Sequence, residues 1–184
     1  MRLTPLSVDE FAETSVEASR PQQCTRMEKV DIDDVRPMSL DGELDRRPLT
    51  DLLGATDVAL NYYGVDPGEA FTSGLHAHLD QEELFYVLEG TATFETKSDP
   101  NGETETVEVA ENEAIRFAPG EFQQGRNESD ERVAALALGA PKESTEIRVP
   151  NTCPACGDSD VLAVSVTDSG LELRCPNCAA EIDG

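Results

Sequence analysis

Residues 76–90 read "HAHLDQEELFYVLEG", and this stretch decides how the rest of the chain is interpreted. The protein has only two histidines, and both lie here with one residue between them. On an extended strand, residues i and i+2 project from the same face, so we expect His76 and His78 to point together into one side of a sheet. Glu83 opens the next strand after the "LDQ" turn. Two imidazoles and one carboxylate suit a divalent transition metal and leave positions open for water or substrate.

The alternative interpretation is a pair of polar side chains on a solvated face. The strand that follows, "LFYVL", is too apolar to lie exposed on both faces, which favours an inward pair. We therefore predict a metal site at His76, His78 and Glu83.

The surrounding sequence predicts an all-β fold. Short apolar segments alternate with turn signals between residues 57 and 140, and none is long enough to be a core helix. About seven strands of roughly five to eight residues indicate an antiparallel barrel or sandwich. Among them, "EELFYVLEG" and "TATFET" are expected to form a strand pair around Gly90. "LFYVL" and "VAALAL" are apolar on both faces, so a second subunit is expected to cover the sheet as a homodimer.

The chain divides into five predicted segments. We expect residues 1–26 to be a loosely ordered N-terminal extension whose place in the native protein is open, and residues 27–56 to be a polar lead-in. Residues 57–140 form the barrel, and residues 141–150, with two prolines and mixed charge, form a linker. Residues 151–184 are expected to be a separate module.

The histidine stretch resembles the first motif of the cupin superfamily: His, any residue, His, four residues, Glu, six residues, Gly. His76, His78, Glu83 and Gly90 match these positions one for one. The family also expects a glycine where this chain has Ala70, and Gly68 is expected to serve that turn instead. The resemblance implies a double-stranded β-helix (jelly-roll-like) barrel, commonly dimeric, with a metal at its centre. It does not imply one reaction, because a shared fold hosts many functions.

The second cupin motif corresponds to "FAPGEFQQGRN" at residues 117–127. Its matching positions are Pro119, Gly120 and Asn127. The family's histidine position holds Gln123, whose amide oxygen is a weaker ligand than imidazole. Three outcomes stay open: a four-ligand site that uses Gln123, a three-ligand site with an extra water, and a site that no longer holds metal. Gln124 and Glu121 are alternative ligands, because strand register is uncertain at this stage.

Four cysteines near the C-terminus form two Cys-x-x-Cys pairs, "CPAC" and "CPNC", at Cys153, Cys156, Cys175 and Cys178. Two such pairs on tight turns make a tetrahedral thiolate cage, and the segment resembles a zinc ribbon. A redox dithiol and a rubredoxin-like iron site are the alternatives. A module this small cannot build an adequate core without its metal. Its six acidic side chains against Arg174 disfavour nucleic acid, so we expect it to cap the barrel or to contact another protein.

Composition excludes several classes of partner. The net charge is -24, and the only lysines are Lys29, Lys97 and Lys142. This acidic excess predicts a halophilic protein, since self-repulsion is screened at about 1 M salt, where the Debye length is roughly 3 Å. There is no basic footprint for nucleic acid and no apolar run for a membrane. The absence of an apolar signal core and the free thiolates favour the cytoplasm.

Two classes of function fit these features. The first is a metal-dependent cupin enzyme, such as an oxygenase or isomerase, that holds iron, manganese, nickel or zinc in the barrel and acts on a small organic molecule. The second is a non-catalytic ligand-binding or sensor cupin whose zinc ribbon mediates protein contacts. Catalytic residues beyond the metal ligands are not assigned by the sequence, and neither is an enzyme class.

Overall fold

The computed structural model describes residues 27–38, 44–167 and 170–182. The expected extension, residues 1–26, lies outside the described residues. Within the described part, regular structure consists of thirteen strands and one short 3₁₀ helix at Ile32–Asp34. The strands are β1 (Asp45–Pro48), β2 (Ala59–Val65), β3 (Ala77–His78), β4 (Glu82–Glu89), β5 (Thr91–Lys97), β6 (Glu105–Ala110), β7 (Ala114–Phe117), β8 (Phe122–Arg126), β9 (Val133–Ala140), β10 (Ile147–Pro150), β11 (Val161–Thr167), β12 (Gly170–Arg174) and β13 (Glu181–Ile182). No helix in these residues is long and apolar enough to cross a membrane.

Two antiparallel sheets form the barrel. A five-stranded sheet has the order β1-β2-β9-β4-β7, and a three-stranded sheet has the order β6-β5-β8. Residues that pair across neighbouring strands share a face, so the inner face of the larger sheet follows from its register. Phe85 pairs with Ala137, which pairs with Asn61, so these three residues lie on the inner face. The predicted all-β barrel is confirmed.

Aromatic rings from both sheets fill the barrel. Phe85 of β4, Phe94 of β5 and Phe117 of β7 are 4% exposed or less, and Phe71 joins them from the segment before β3. Their ring centroids lie between 4.9 and 6.3 Å apart. Burying each ring stabilises the fold by roughly 1.5–3 kcal/mol, so this cluster holds the two sheets together.

The predicted strand pair around Gly90 is wrong. β4 pairs with β7 and β9, whereas β5 pairs with β6 and β8. Gly90 is a single connecting residue, and a tight hairpin needs at least two. With a φ of 79°, and with the main-chain oxygen of Arg132 2.8 Å from where a Cβ would lie, Gly90 turns the chain from one sheet into the other.

The segment that carries the histidines is less regular than its sequence indicates. Only Ala77–His78 forms a strand, and isolated bridges join Ala70 to Arg126 and His76 to Gln123. β3 is the edge of a third sheet with the order β13-β12-β11-β10-β3. The cysteine hairpin therefore continues the sheet to which the histidine strand belongs.

Two segments expected to lack strands contain one each. β10 lies in the second half of the expected linker, residues 141–150, and pairs with both β3 and β11. β1 lies in the expected lead-in, residues 27–56, and pairs with β2. The prolines and charges of both segments are typical of loops, while their pairing partners lie far along the chain and are invisible to local composition.

Candidate metal centre and adjoining cavity

Backbone pairing brings the predicted ligands together. His76 and Gln123 exchange two main-chain hydrogen bonds of 3.1 and 2.8 Å, which places their side chains on one face. His78, two residues after His76, pairs with Ile147 of β10. Glu83 lies on the inner face of β4, two residues before the buried Phe85. Three segments, one from each sheet, therefore meet at one point: the histidine segment that ends in β3, strand β4 and strand β8.

One ligand atom from each of His76, His78 and Glu83 lies within 4.8 Å of the other two. The imidazole centroids are 5.1 Å apart with an interplanar angle of 78°. His78 Nε2 lies 3.9 Å from Glu83 Oε2. This separation leaves room for a cation between the three groups.

Hydrogen bonds fix both imidazoles in the tautomer that binds metal. His76 Nδ1 lies 2.9 Å from the carbonyl oxygen of Gly74, which can only accept, so Nδ1 carries the proton. His78 Nδ1 lies 2.8 Å from Ser144 Oγ, and that hydroxyl donates to Asp80 at 2.6 Å. Ser144 Oγ therefore accepts from His78 Nδ1. Both Nε2 atoms keep a lone pair, and partners of this kind orient and strengthen histidine ligands.

Gln123 completes the group from β8. Its side-chain nitrogen donates to Glu83 Oε2 at 2.7 Å and lies 3.3 Å from His76 Nε2. Gln123 is 2% exposed, and its Oε1 is buried without a hydrogen-bond partner among the described residues. An unpartnered buried carbonyl costs roughly 1–3 kcal/mol, and rotation of the amide would aim that oxygen at a cation.

Burial controls the charge of this centre. It raises the pKa of Glu83 to about 7, against the lowering effects of the Gln123 hydrogen bond and the positive charge of Arg46. Burial also lowers the pKa of His78 to about 4, helped by His76 and opposed by Asp80, and it lowers the pKa of His76. Both imidazoles are therefore neutral near pH 7, which is the form that binds metal.

The other candidates at this motif have different roles. Gln124 donates to the Thr72 carbonyl, and Glu121 accepts from the main-chain N–H of Ala118, so neither joins the group. Asn127 is 1% exposed and donates to the carbonyls of Val65 and Glu131, which fixes the loop after β8.

The sequence did not reveal the residues that orient His78. Asp80 lies two residues after His78, and hydrogen bonds from Ser144 and Thr145 lower its pKa to about 2. Its position between His78 and Glu83 could have drawn attention to it. Ser144 lies in the segment expected to be a linker, so nothing in its local sequence indicated a role.

The four cysteines form a second group. Their sulfurs lie within 4.8 Å of one another, with Cys153 to Cys178 at 3.9 Å and Cys156 to Cys175 at 3.8 Å. An ion about 2.3 Å from four sulfurs at tetrahedral angles separates them by about 3.8 Å. All four are free thiols, and around them pack the buried Leu162 and partly buried apolar side chains.

A cavity of about 500 Å³ adjoins the histidine centre. His76 lines it together with residues of β1 and β2 and the loop before β3. The opposite wall comes from the cysteine hairpin and the strand that leads into it, through Ile147, Val149, Val164, Leu171 and Leu173. This volume suits a small organic molecule.

Comparison with known families agrees with this architecture. Residues 61–139 match the family model described as the cupin domain. No curated protein matches the sequence. The double-stranded β-helix is therefore the fold of the barrel, and the four-cysteine hairpin is compatible with a small added module.

Solved structures show the same fold at low sequence identity. A sugar phosphate isomerase of the cupin superfamily from Silicibacter pomeroyi aligns with 82% of this chain and 94% of its own, at 22% identity and a TM-score of 0.58. The formate complex of Lactobacillus farciminis oxalate decarboxylase aligns with 61% of this chain and 33% of its own, at 17% identity and a TM-score of 0.51. The alignment with a Klebsiella pneumoniae protein that has a double-stranded β-helix domain covers 77% of this chain and 98% of that protein, at 18% identity and a TM-score of 0.50.

Proposed function

We propose that the barrel binds a divalent transition metal through His76, His78 and Glu83, with Gln123 as a fourth contact, and that it binds or acts on a small organic molecule beside the metal. The observation that carries this proposal is the convergence of three ligand atoms within 4.8 Å while both imidazole Nδ1 atoms are engaged elsewhere. Such an arrangement keeps two lone pairs and one carboxylate available for a cation.

The ligand types favour iron, manganese, nickel or zinc. A bound ion of this kind would supply Lewis-acid polarisation of a substrate oxygen, or oxygen chemistry with iron. The residues of the chain would hold and orient the reacting molecule: the cavity beside His76 would bind it, and Gly74 and Ser144 keep the imidazoles in place. An oxygenase or isomerase reaction fits these roles.

The second candidate is a non-catalytic ligand-binding or sensor protein. The observation in its favour is Gln123, because an amide is a weaker ligand than the imidazole that the family pattern has at this position. In this case the cysteine hairpin would transmit occupancy of the cavity to a partner protein.

Elemental analysis of the full chain tests the metal proposal. We expect two metal equivalents per chain, one of which is lost in His76→Ala. Cys153→Ser is the matched control, because it should reduce the other equivalent and leave the barrel equivalent. A His76→Ala protein with the same metal content as the wild type would contradict the proposal.

Activity tests separate the two candidates. Protein loaded separately with each of the four metals is incubated with a panel of small hydroxy acids and sugar derivatives, with oxygen consumption and product formation as readouts. Turnover that disappears in His78→Ala supports the enzyme. Ligand binding without turnover under every metal supports the sensor.

We also propose zinc for the cysteine cluster and the reducing cytoplasm as its location. The sulfur separations of 3.8 and 3.9 Å fit tetrahedral zinc, and free thiolates persist in a reducing compartment. The hairpin wall of the cavity supports a capping role for this module. Its acidic composition argues against nucleic acid as a partner.

We propose a homodimer through the outer face of the five-stranded sheet. Leu60, Leu138 and Leu84 pair in one row across that face, and Tyr86 and Leu88 of β4 remain 36% and 37% exposed. Sedimentation equilibrium should give twice the chain mass for the wild type and the chain mass for Leu138→Arg. A monomeric wild type would refute the dimer.

A further inference from the structure

Arg46 is a positive charge that faces the barrel interior and has no carboxylate partner in the described part of the chain. Its neighbours Asp45 and Arg47 bond to each other, and Asp45 also pairs with Arg132. Arg46 pairs instead with Tyr63 across β1 and β2 and therefore shares the inner face with it. Its Nε donates to Asn61 Oδ1 at 3.2 Å, and it forms no ion pair with any described residue.

In a protein with 38 acidic residues and a net charge of -24, the two arginines that line the cavity, Arg46 and Arg126, form no ion pair with any described residue. Arg47, Arg116, Arg132, Arg148 and Lys142 all form ion pairs. A partly buried guanidinium that leaves its terminal nitrogens unpaired retains the capacity for bidentate recognition of a carboxylate or phosphate.

Tyr63 adds a hydrogen-bonding group at the same place. Its side chain is 8% exposed and lines the cavity, and no described residue forms a hydrogen bond with its hydroxyl. That hydroxyl is not fully buried, since Gln123 Oε1 is the only described buried side-chain oxygen without a partner, so it is available to a molecule in the cavity. Burial raises the pKa of Tyr63, and Arg46 and Glu83 also act on this pKa electrostatically; of the two, Arg46 lies directly opposite Tyr63 in the strand register.

The remainder of the cavity has a different character. Arg126 also lines it, and its Nη2 donates to Gln124 Oε1 at 2.8 Å. Across from the barrel, Val149, Val164 and Leu173 present apolar side chains from the hairpin sheet. Glu69 also lines the cavity, and its carboxylate accepts a hydrogen bond from the main-chain N–H of Asp66. The cavity therefore combines a polar region that contains two arginines and one carboxylate with an apolar wall.

We propose that this cavity binds a small organic anion whose acid group pairs with Arg46 and accepts a hydrogen bond from Tyr63, and whose apolar part packs against the hairpin. The proposal rests on the proposed function, in which this anion is the molecule held beside the barrel metal, and it names the substrate class. The hairpin then belongs to the binding site rather than to a separate module.

The test uses matched ¹⁹F probes with the full chain. Binding of 4-fluorobenzoate and of its neutral counterpart 4-fluorobenzamide is measured by ¹⁹F line broadening, first with zinc at the cysteine site and no metal added to the barrel, and then after Mn²⁺ is added. We expect fluorobenzoate to bind at least about tenfold more tightly, equivalent to about 1.4 kcal/mol. Bound Mn²⁺ should further enhance its ¹⁹F relaxation.

Variants assign the effect to Arg46 and Tyr63. Arg46→Gln should weaken fluorobenzoate binding about tenfold or more, while Arg46→Lys keeps the charge but not the bidentate geometry and should restore only part of the binding. Arg116→Gln removes an exposed arginine that pairs with Glu82 outside the cavity and should leave binding within about twofold of the wild type. Tyr63→Phe should weaken the binding of fluorobenzoate and leave the binding of fluorobenzamide unchanged. Circular dichroism checks that each variant is folded.

The outcomes are separable from those of the metal proposal. If Mn²⁺ is not retained at the barrel site, the proposed metal function fails, and the titration with zinc at the cysteine site alone still decides whether the cavity prefers an anion. Equal binding of the two probes overturns the inference, and so does an Arg46→Gln variant that behaves like Arg116→Gln.

Discussion

Ser144→Ala should weaken metal binding at the barrel site without changing any proposed ligand. In the native structure, Ser144 Oγ lies 2.8 Å from His78 Nδ1 and donates to Asp80 at 2.6 Å. Alanine removes the only described acceptor for the Nδ1 proton. His78 is then free to carry its proton on Nε2, which lies 3.9 Å from Glu83 Oε2. A cation must displace that proton before it can bind.

The magnitude follows from the unsatisfied group. Leaving a buried N–H without an acceptor costs about 1–3 kcal/mol. Loss of a partner that orients a histidine ligand typically reduces metal affinity about 10–100-fold, which agrees with that range. We therefore expect Ser144→Ala to raise the metal dissociation constant of the barrel site about 10–100-fold.

Competition with a calibrated chelator measures this constant, with the cysteine site loaded with zinc beforehand so that only the barrel equivalent is titrated. Thr145→Ala is the matched control, because Thr145 Oγ1 donates to the same Asp80 at 3.2 Å, whereas the hydrogen bond at His78 Nδ1 is made with Ser144. Thr145→Ala should bind metal within about twofold of the wild type. If Ser144→Ala and Thr145→Ala bind metal equally well, the tautomer of His78 is not set by Ser144 and the reasoning is wrong.

Three further predictions concern pH, packing and salt. Metal affinity should fall about tenfold per pH unit below about pH 7, because the metal must displace the proton of Glu83, whose pKa is raised to about 7. His78, whose pKa is lowered to about 4, stays neutral in this range and adds no further dependence. A constant affinity between about pH 7 and pH 5.5 would contradict this prediction. Gly125→Ala should lower the free energy of unfolding by about 1–3 kcal/mol in a denaturant titration, because its Cβ would lie 2.6 Å from Phe94, whereas Gly74→Ala meets no atom within 4 Å and should change stability by less than about 1 kcal/mol. The unfolding midpoint should rise as KCl increases to about 1 M, since screening relieves repulsion within a chain of net charge -24; a salt-independent midpoint would count against the halophilic expectation.

Local spacing predicted the features that depend on a few consecutive residues. The two-residue period of a strand placed His76 and His78 on one side, and the resemblance to the cupin motif, which has six residues between its Glu and its Gly, pointed to Glu83 and not to the adjacent Glu82. In the structure, Glu82 instead pairs with Arg116 on the surface. The two Cys-x-x-Cys pairs indicated a four-sulfur cluster for the same reason, since each pair forms a turn within one short segment.

Elsewhere, local spacing did not predict which strands pair over long sequence distances. β4 and β5 are adjacent in sequence but belong to different sheets, because one glycine cannot close a hairpin. The segments of β1 and β10 resemble loops in composition, and their strand character comes from partners at β2, β3 and β11.

By itself, the sequence determined the all-β class, the cupin-like motif, the candidate ligands and the cysteine cluster, because short-range periodicity and side-chain chemistry specify them. Only the tertiary structure decided that Gln123 lies against Glu83, that Ser144 and Asp80 orient His78, and that Arg46 and the cysteine hairpin line one cavity. These contacts join residues many positions apart. Their free energy depends on which strands pair, a choice that is made by the packing of the whole barrel and not by any single segment.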